Sequence, residues 1–324
     1  MRAAVLNAHG QPPAYATHPD PSPGPGQSLV RVTAAPLVPL DLLCASGTSY
    51  FGPPAVPYVP GVQGVGVVEQ SERLEWGTRV WFASAAGMAP GDGGLAELAA
   101  VADDDLVPVD EPVGDEALAA LGTSAVAAWM ALTWRARMRT GERVLVLGGG
   151  GAVGQVAIGA ARLLGASQVV AACRSRDAAG RAAAAGADEA VLLDEDPSTP
   201  LAERLRAVCA GEVDVVIDPV FGPVAEAASR VLAPGGRLVN LGSSAGEEAT
   251  FSSALVRSRS LEILGYTNNA LTVEQRRAAV VAIAGHAAGG ALAVAHEVRP
   301  FSDIEDVWRR QAAGEAAARF VLVP

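Results

Sequence analysis

The chain has 324 residues, half of them apolar and 18% charged, with a formal net charge of −11. That acidic balance leaves no cationic surface for a phosphate backbone, so no nucleic-acid partner is expected. All 24 basic residues are arginine, and without lysine the chain can build no Walker phosphate loop, no Schiff base and no Tyr-x-x-x-Lys proton relay.

Residues 1 to about 115 read as a β-rich domain. Short apolar runs (Leu29 to Thr33, Val65 to Glu69, Arg79 to Ala83) are separated by Pro- and Gly-dense segments such as Pro19 to Gly26 and Gly52 to Gly61. From about 116 to 289 the rhythm changes. A helix is predicted over Asp115 to Met138, then a buried strand over Arg143 to Leu147 and an Ala-rich helix over Ala152 to Leu164. Further strands are predicted at Gln168 to Ala172, Ala190 to Leu193, Val213 to Asp218, Arg237 to Leu241 and Leu261 to Gly265, with helices starting near Asp177, Pro200 and Gly222. Strict alternation of apolar strands and helices implies an α/β fold with a doubly wound parallel sheet. The runs Ala293 to Val298 and Arg319 to Val323 return to strand character, so the segment from about 290 to 324 is expected to complete the first domain.

Other features restrict the setting. The opening Met1-Arg2-Ala3-Ala4-Val5-Leu6 lacks the apolar region of a signal peptide, and no uncharged, proline-free stretch reaches transmembrane length. A cytoplasmic protein with no membrane partner is the expectation. Cys44, Cys173 and Cys209 are too few and too scattered for a disulfide framework or a metal knuckle.

The strongest local signal is Val144-Leu145-Val146-Leu147-Gly148-Gly149-Gly150-Gly151-Ala152-Val153-Gly154. It holds Gly-x-Gly-x-x-Gly as Gly149, Gly151 and Gly154 between a strand and a helix. On this reading Gly149 permits the tight turn, Gly151 lets the backbone approach a pyrophosphate, and Gly154 allows close helix packing. The helix N-terminus adds unpaired N–H groups for the phosphates. An NAD site wants a carboxylate about 20 residues further on, to bond the ribose 2′-hydroxyl. Here that region reads Cys173-Arg174-Ser175-Arg176-Asp177, and two guanidiniums with a hydroxyl suit a 2′-phosphate instead. NADPH is therefore the expected cofactor; the bland alternative is a pair of solvated arginines with Asp177 capping the next helix.

The chain resembles the zinc-independent medium-chain dehydrogenase/reductases of the quinone oxidoreductase and zeta-crystallin group. The markers, spread over nearly the whole length, are Asp41 in Pro36-Leu37-Val38-Pro39-Leu40-Asp41, Pro57-Tyr58-Val59-Pro60-Gly61, Gly77-Thr78-Arg79-Val80, Val213 to Gly222, Pro234 to Gly242, and Arg319 to Pro324. The resemblance implies a GroES-like β-barrel domain with a Rossmann domain and a site in the cleft between them. It places Gly150 to Gly154, with Ala152 and Val153, along the pyrophosphate, and Arg174, Ser175 and Arg176 at the adenosine ribose with Arg319 nearby. Gly242-Ser243-Ser244 and Gly265-Tyr266-Thr267 would hold the nicotinamide half; the alternatives are loop hydroxyls bonding their own backbone and a tyrosine packing at an edge.

Departures from the zinc enzymes follow the same markers. Val38 stands where they carry Cys, Gly61-Val62-Gln63 replaces Gly-His-Glu, and no Cys lies between Cys44 and Cys173. A tetrahedral zinc needs three or four N or S ligands, so no metal is expected. Val38 and Ala127 also replace an Asn and a Thr common in the zinc-free group. Without a metal to polarise a simple ketone, a conjugated carbonyl, enoyl thioester or quinone is the easier hydride partner. Tyr50, in Ser46-Gly47-Thr48-Ser49-Tyr50, is the candidate proton donor, against a reading as loop packing, while Asp41 reads as a helix cap. The expected function is thus an NADPH-dependent, zinc-free reductase of a small molecule, with a pathway enoyl reductase or a cofactor-binding sensor as alternatives. The edge strand Leu261 to Gly265, with the habit of relatives, implies a homodimer.

Overall fold

The computed structural model describes residues 1–194 and 198–324. They divide into two compact units, Met1–Thr123 with Val273–Ala288 and Ala295–Pro324, and Ser124–Thr272 with Gly289–Val294.

In the first unit a seven-stranded sheet runs in the order His296–Pro300, Arg319–Val323, Gln27–Pro36, Gln63–Gln70, Arg79–Ala83 and Leu106–Pro108, with Leu98–Ala102 also paired to Gln27–Pro36. A two-stranded ribbon joins Arg2–Val5 to Ala14–Thr17. Gln27–Pro36 shows why the strand forms. Ser28, Val30, Val32 and Ala34 are buried while Arg31 between them is exposed, the period of two that turns one face to a core. That core gathers Leu6, Val80, Phe82, Leu95, Phe301, Trp308 and Phe320. Burial of each large side chain contributes roughly 1.5–3 kcal/mol.

The second unit is a six-stranded parallel sheet in the order Glu189–Leu192, Gln168–Cys173, Arg143–Leu147, Val213–Asp218, Leu232–Asn240 and Glu262–Gly265. By chain order that is 3-2-1-4-5-6, the dinucleotide-fold arrangement, with its switch point between the first and fourth strands. Val144 to Leu147, Val215 to Ile217 and Leu238 to Val239 are fully buried, because helices cover both faces of a parallel sheet. A buried arginine interrupts this pattern. Arg237 donates to Glu142 at 2.7 and 3.0 Å and to the Ala136 carbonyl at 2.9 Å. Burial, the largest single influence, would raise the Glu142 pKa, but the bonds from Arg237 and the Arg139 N–H, with the charges of both arginines, together hold the carboxyl below its ordinary value.

The units divide differently from the boundaries expected on sequence. Residues 116–123 and helix Val273–Ala288 go with the first unit, not with the parallel sheet. Side chains explain both shifts. Asp115 accepts from Thr33 at 2.5 Å and Arg79 at 2.7 Å, and Arg276 pairs with Asp105. The long helix expected over Asp115 to Met138 is helical only as far as Met130, breaks at Gly122 (φ 41°, ψ −140°), and is followed by a π-helical turn over Ala131–Arg135. Gln63 fills the break: its Oε1 accepts from the Thr123 N–H at 2.6 Å, and a Cβ on Gly122 would collide with its amide. Contrary to the expectation from sequence, Asp115–Arg135 is long and apolar enough by composition to cross a membrane. Its apolar residues Leu118, Leu121, Val126 and Leu132 are buried within the fold.

Candidate functional site

The glycine turn follows the first strand of the parallel sheet. Gly148, at φ 64°, is the residue that needs the left-handed conformation, not Gly149 as the motif suggested. Gly151 N–H closes the turn on the Gly148 carbonyl at 3.0 Å, and Gly149 N–H bonds the Ala172 carbonyl of the second strand at 3.1 Å. Gly149 has a different reason to be glycine: a Cβ there would lie 2.6 Å from that of Ala171. At Gly150 a Cβ would lie 2.5 Å from Ala178, and at Gly154 it would collide with the Gly148 carbonyl and lie 2.6 Å from the Gly149 Cα. Gly151 is unlike these. It is exposed, has an ordinary φ of −78° and caps helix Ala152–Leu163, and the nearest atom to its missing Cβ is the Gly148 carbonyl oxygen at 3.3 Å. The protein's own packing leaves that side open, and the N–H groups of Ala152, Val153 and Gly154 have no intrahelical acceptor.

The loop after the second strand carries Arg174, Ser175 and Arg176, all exposed. The Ser175 hydroxyl is the N-cap of helix Arg176–Ala184, accepting from Ala178 N–H at 3.2 Å. Capping therefore falls to Ser175 and not to Asp177, and the hydroxyl keeps its proton and one lone pair for a ligand.

Beyond the switch point, the loops after the fourth and fifth strands are stitched together. Buried Asp218 accepts from the Val220 and Phe221 N–H groups at 3.0 and 2.7 Å, with its pKa raised by burial against those bonds. Phe221 is held at φ 58°, ψ −158°, a region that costs a non-glycine residue about 1–3 kcal/mol. Ala245 N–H bonds the Val220 carbonyl at 2.8 Å, and the Val220 side chain would lie 3.0 Å from a Cβ on Gly148. Ser243 donates to Glu247 at 2.6 Å and Ser244 to the Pro219 carbonyl at 3.4 Å, while a Cβ on Gly242 would lie 2.8 Å from that same carbonyl. At the next strand end Tyr266 N–H bonds the Asn240 carbonyl at 2.9 Å, and its hydroxyl donates to Asn268 at 2.7 Å. The Tyr266 ring meets Trp134 edge-on at 6.3 Å, Arg135 donates to the Gly265 carbonyl, and Thr267 caps the short helix Asn268–Ala270. Gly149 to Gly154, Arg174 to Arg176, Gly242 to Ser244 and Gly265 to Thr267 thus share one rim, at the carboxyl ends of the strands.

Two residues singled out on sequence belong to the first unit. Arg319 lies buried there. Desolvation lowers its pKa to about 10, opposed by the charge of Asp41. Tyr50, also in the first unit, is 82% exposed, its ring tilted 35° against that of Phe51 with centroids 4.1 Å apart.

The comparisons with known proteins agree with this geometry. Residues 24–111 match the family described as an alcohol dehydrogenase GroES-like domain, and residues 152–284 the family described as a zinc-binding dehydrogenase. A quinone oxidoreductase of Thermus thermophilus, solved also in complex with NADPH, is 31% identical, with a TM-score of 0.80 over 100% of both chains. The chain belongs to the medium-chain dehydrogenase/reductases, in the quinone oxidoreductase group. Within that family, mouse quinone oxidoreductase is 35% identical over 161 residues, 48% of this chain and 47% of its own length. A phenolphthiocerol/phthiocerol polyketide synthase component of Mycobacterium tuberculosis is 30% identical over 306 residues, 91% of this chain but 13% of its own length. The matched stretch therefore spans about half of one of these curated relatives and a small part of the other.

Membership in the medium-chain family gives Val38, Asp41 and Val62 their context. Asp41 is fully buried and accepts from Val38 N–H at 2.9 Å, Val62 N–H at 2.9 Å and Gly61 N–H at 3.2 Å. It caps helix Pro39–Ser46 and pins the Pro57 to Val62 loop to it. Burial pushes its pKa up to about 6, against those bonds and the Arg319 charge. Val38 and Val62 are buried and apolar, and among the described residues no three His, Cys, Asp or Glu side chains converge.

Proposed function

We propose that the chain is an NADPH-dependent oxidoreductase that reduces a conjugated carbonyl or quinone without a metal. The observation that carries this reading is the rim, where an open face at Gly151 accompanies two exposed guanidiniums, Arg174 and Arg176, and no carboxylate ends the second strand. The residues fit a dinucleotide. Gly151 supplies a cradle that a side chain would fill, and the first turn of helix Ala152–Leu163 supplies free N–H donors. Arg174 and Arg176 bind the 2′-phosphate as charged donors. Because Ser243 and Ser244 are engaged by Glu247 and the Pro219 carbonyl, the Gly242 to Ser244 loop offers its backbone to the nicotinamide half, together with Gly265 to Thr267.

The nicotinamide, when bound, supplies the hydride. Val38 and Val62 offer no ligand to a Lewis acid, so hydrogen-bond donors must stabilise charge developing on the substrate oxygen. A conjugated acceptor suits that limit, since its charge is already delocalised. Val38 and Ala127 also make their surroundings more apolar, which favours a bulky substrate. Tyr50 is the proposed proton donor.

A scan of NADPH oxidation against naphthoquinones, alkenals and enoyl thioesters tests the reading. NADPH should bind roughly 10- to 100-fold more tightly than NADH, the worth of a charged hydrogen bond. Arg174→Ala with Arg176→Ala should erase most of that preference. Equal affinity for both cofactors, or stoichiometric zinc in active protein, would reject it. The match to a polyketide synthase over most of the chain favours a second reading, an enoyl reductase. Turnover of enoyl thioesters far above quinones would select it.

A further inference from the structure

The glycine turn is held by a side chain outside its motif. Arg181, in helix Arg176–Ala184, donates from Nε to the Gly150 carbonyl at 2.9 Å. The same oxygen accepts from Gln155 Nε2 at 3.0 Å, which satisfies both of its lone pairs. Behind it the Gly150 Cα packs so close to Ala178 that no Cβ would fit. Three contacts therefore fix the peptide group that leads into the N-terminus of helix Ala152–Leu163. Arg181 is half-buried, yet no described carboxylate pairs with it, whereas Arg162, Arg237, Arg259 and Arg276 each have an acidic partner. Among the described residues, its positive charge thus stands beside the turn without a carboxylate partner.

We propose that Arg181 is a positioning residue for the diphosphate of the dinucleotide, an inference that rests on the dinucleotide reading above. It latches the Gly150 carbonyl away from the ligand side, so that the N–H groups of Ala152 and Val153 are set before binding. It also adds a cation to the partial charge of the helix end. The latch is to the turn and not to the Arg174 to Arg176 loop. Its effect therefore falls on the part of the ligand that NADPH and NADH share, while those two arginines act on the 2′-phosphate alone.

Calorimetric titration of Arg181→Ala and Arg181→Lys with NADPH, NADH and adenosine 2′-monophosphate tests this. Arg181→Ala should weaken NADPH and NADH by the same factor, roughly tenfold, the worth of one charged hydrogen bond. It should leave adenosine 2′-monophosphate binding and the ligand-free melting temperature unchanged. Arg181→Lys, which keeps a cation and a donor, should restore most of the affinity for both dinucleotides. Unchanged affinities in Arg181→Ala, or a loss confined to NADPH, would overturn the proposal. Should Arg181→Ala melt early, Arg181→Lys decides: a folded variant that recovers neither affinity also overturns it. An unmutated chain that binds neither dinucleotide rejects the dinucleotide reading itself.

Discussion

Adding a single methyl group at three neighbouring glycines separates those the fold requires from the one a ligand requires. At Gly150 the new Cβ would lie 2.5 Å from Ala178, and at Gly154 it would lie 2.6 Å from the Gly149 Cα, both against backbone that cannot swing aside. Overpacking of that kind costs about 1–3 kcal/mol. At roughly 2–4 °C per kcal/mol for a unit of this size, both variants should melt several degrees early. At Gly151 the closest atom is a carbonyl oxygen 3.3 Å away and φ is −78°, a conformation alanine adopts freely. Alanine at a helix N-cap costs at most about 1 kcal/mol, so Gly151→Ala should fold almost normally. It should nevertheless bind NADPH at least about 100-fold more weakly, because the methyl takes the space of a phosphate oxygen, a loss of about 2.7 kcal/mol. Thermal melts without ligand and calorimetric titration with NADPH read the two effects separately. Normal NADPH binding by Gly151→Ala would show that the diphosphate does not approach that face. An unshifted melt for Gly150→Ala would show that the helix carrying Ala178 yields.

Three further outcomes follow from the structure. The folded Asp41 carboxyl should titrate near pH 6, because burial disfavours its charged form. The folded state then holds this proton more tightly than the unfolded chain. The group's contribution to stability is present below about pH 4 and is lost as pH rises through about 6; a carbon-13 titration midpoint below 4 would contradict this. Tyr50→Phe should leave the melting temperature and NADPH affinity unchanged, since the side chain is exposed, and should slow turnover roughly 100-fold; an unaltered rate assigns the proton to water. The edge strand Glu262–Gly265, with Ile263 39% exposed, should pair with its twin in a dimer, and light scattering that gives a single-chain mass at micromolar concentration would reject that pairing.

The parts of this protein that sequence reveals are those written in local patterns. Apolar runs such as Val144 to Leu147 and Val213 to Asp218 can only be buried strands, and the rim segments fall at their ends. Four consecutive glycines blur the register of the turn. Any of Gly148, Gly149 or Gly150 could take the left-handed position, and only the backbone path assigns it to Gly148. Contacts between distant segments leave no local trace. Nothing around Arg319 announces Asp41, and nothing around Arg181 announces the Gly150 carbonyl. Helix Val273–Ala288 is misplaced by sequence for the same reason, since its partner Asp105 lies far back in the chain.

The pairing of Arg319–Val323 with Gln27–Pro36 also governs the order in which the chain can fold as it is made. The parallel-sheet unit is drawn almost wholly from one continuous stretch, Ser124–Thr272, and can condense soon after that stretch leaves the ribosome. The antiparallel sheet must wait with Ala35 and Pro36 unpaired, beyond the stretch Gln27–Arg31 that Leu98–Ala102 covers, and with Asp41 lacking its guanidinium neighbour, until residues near 320 arrive. Until then the Pro36 end of that strand keeps a short open edge that a chaperone or a second nascent chain can reach.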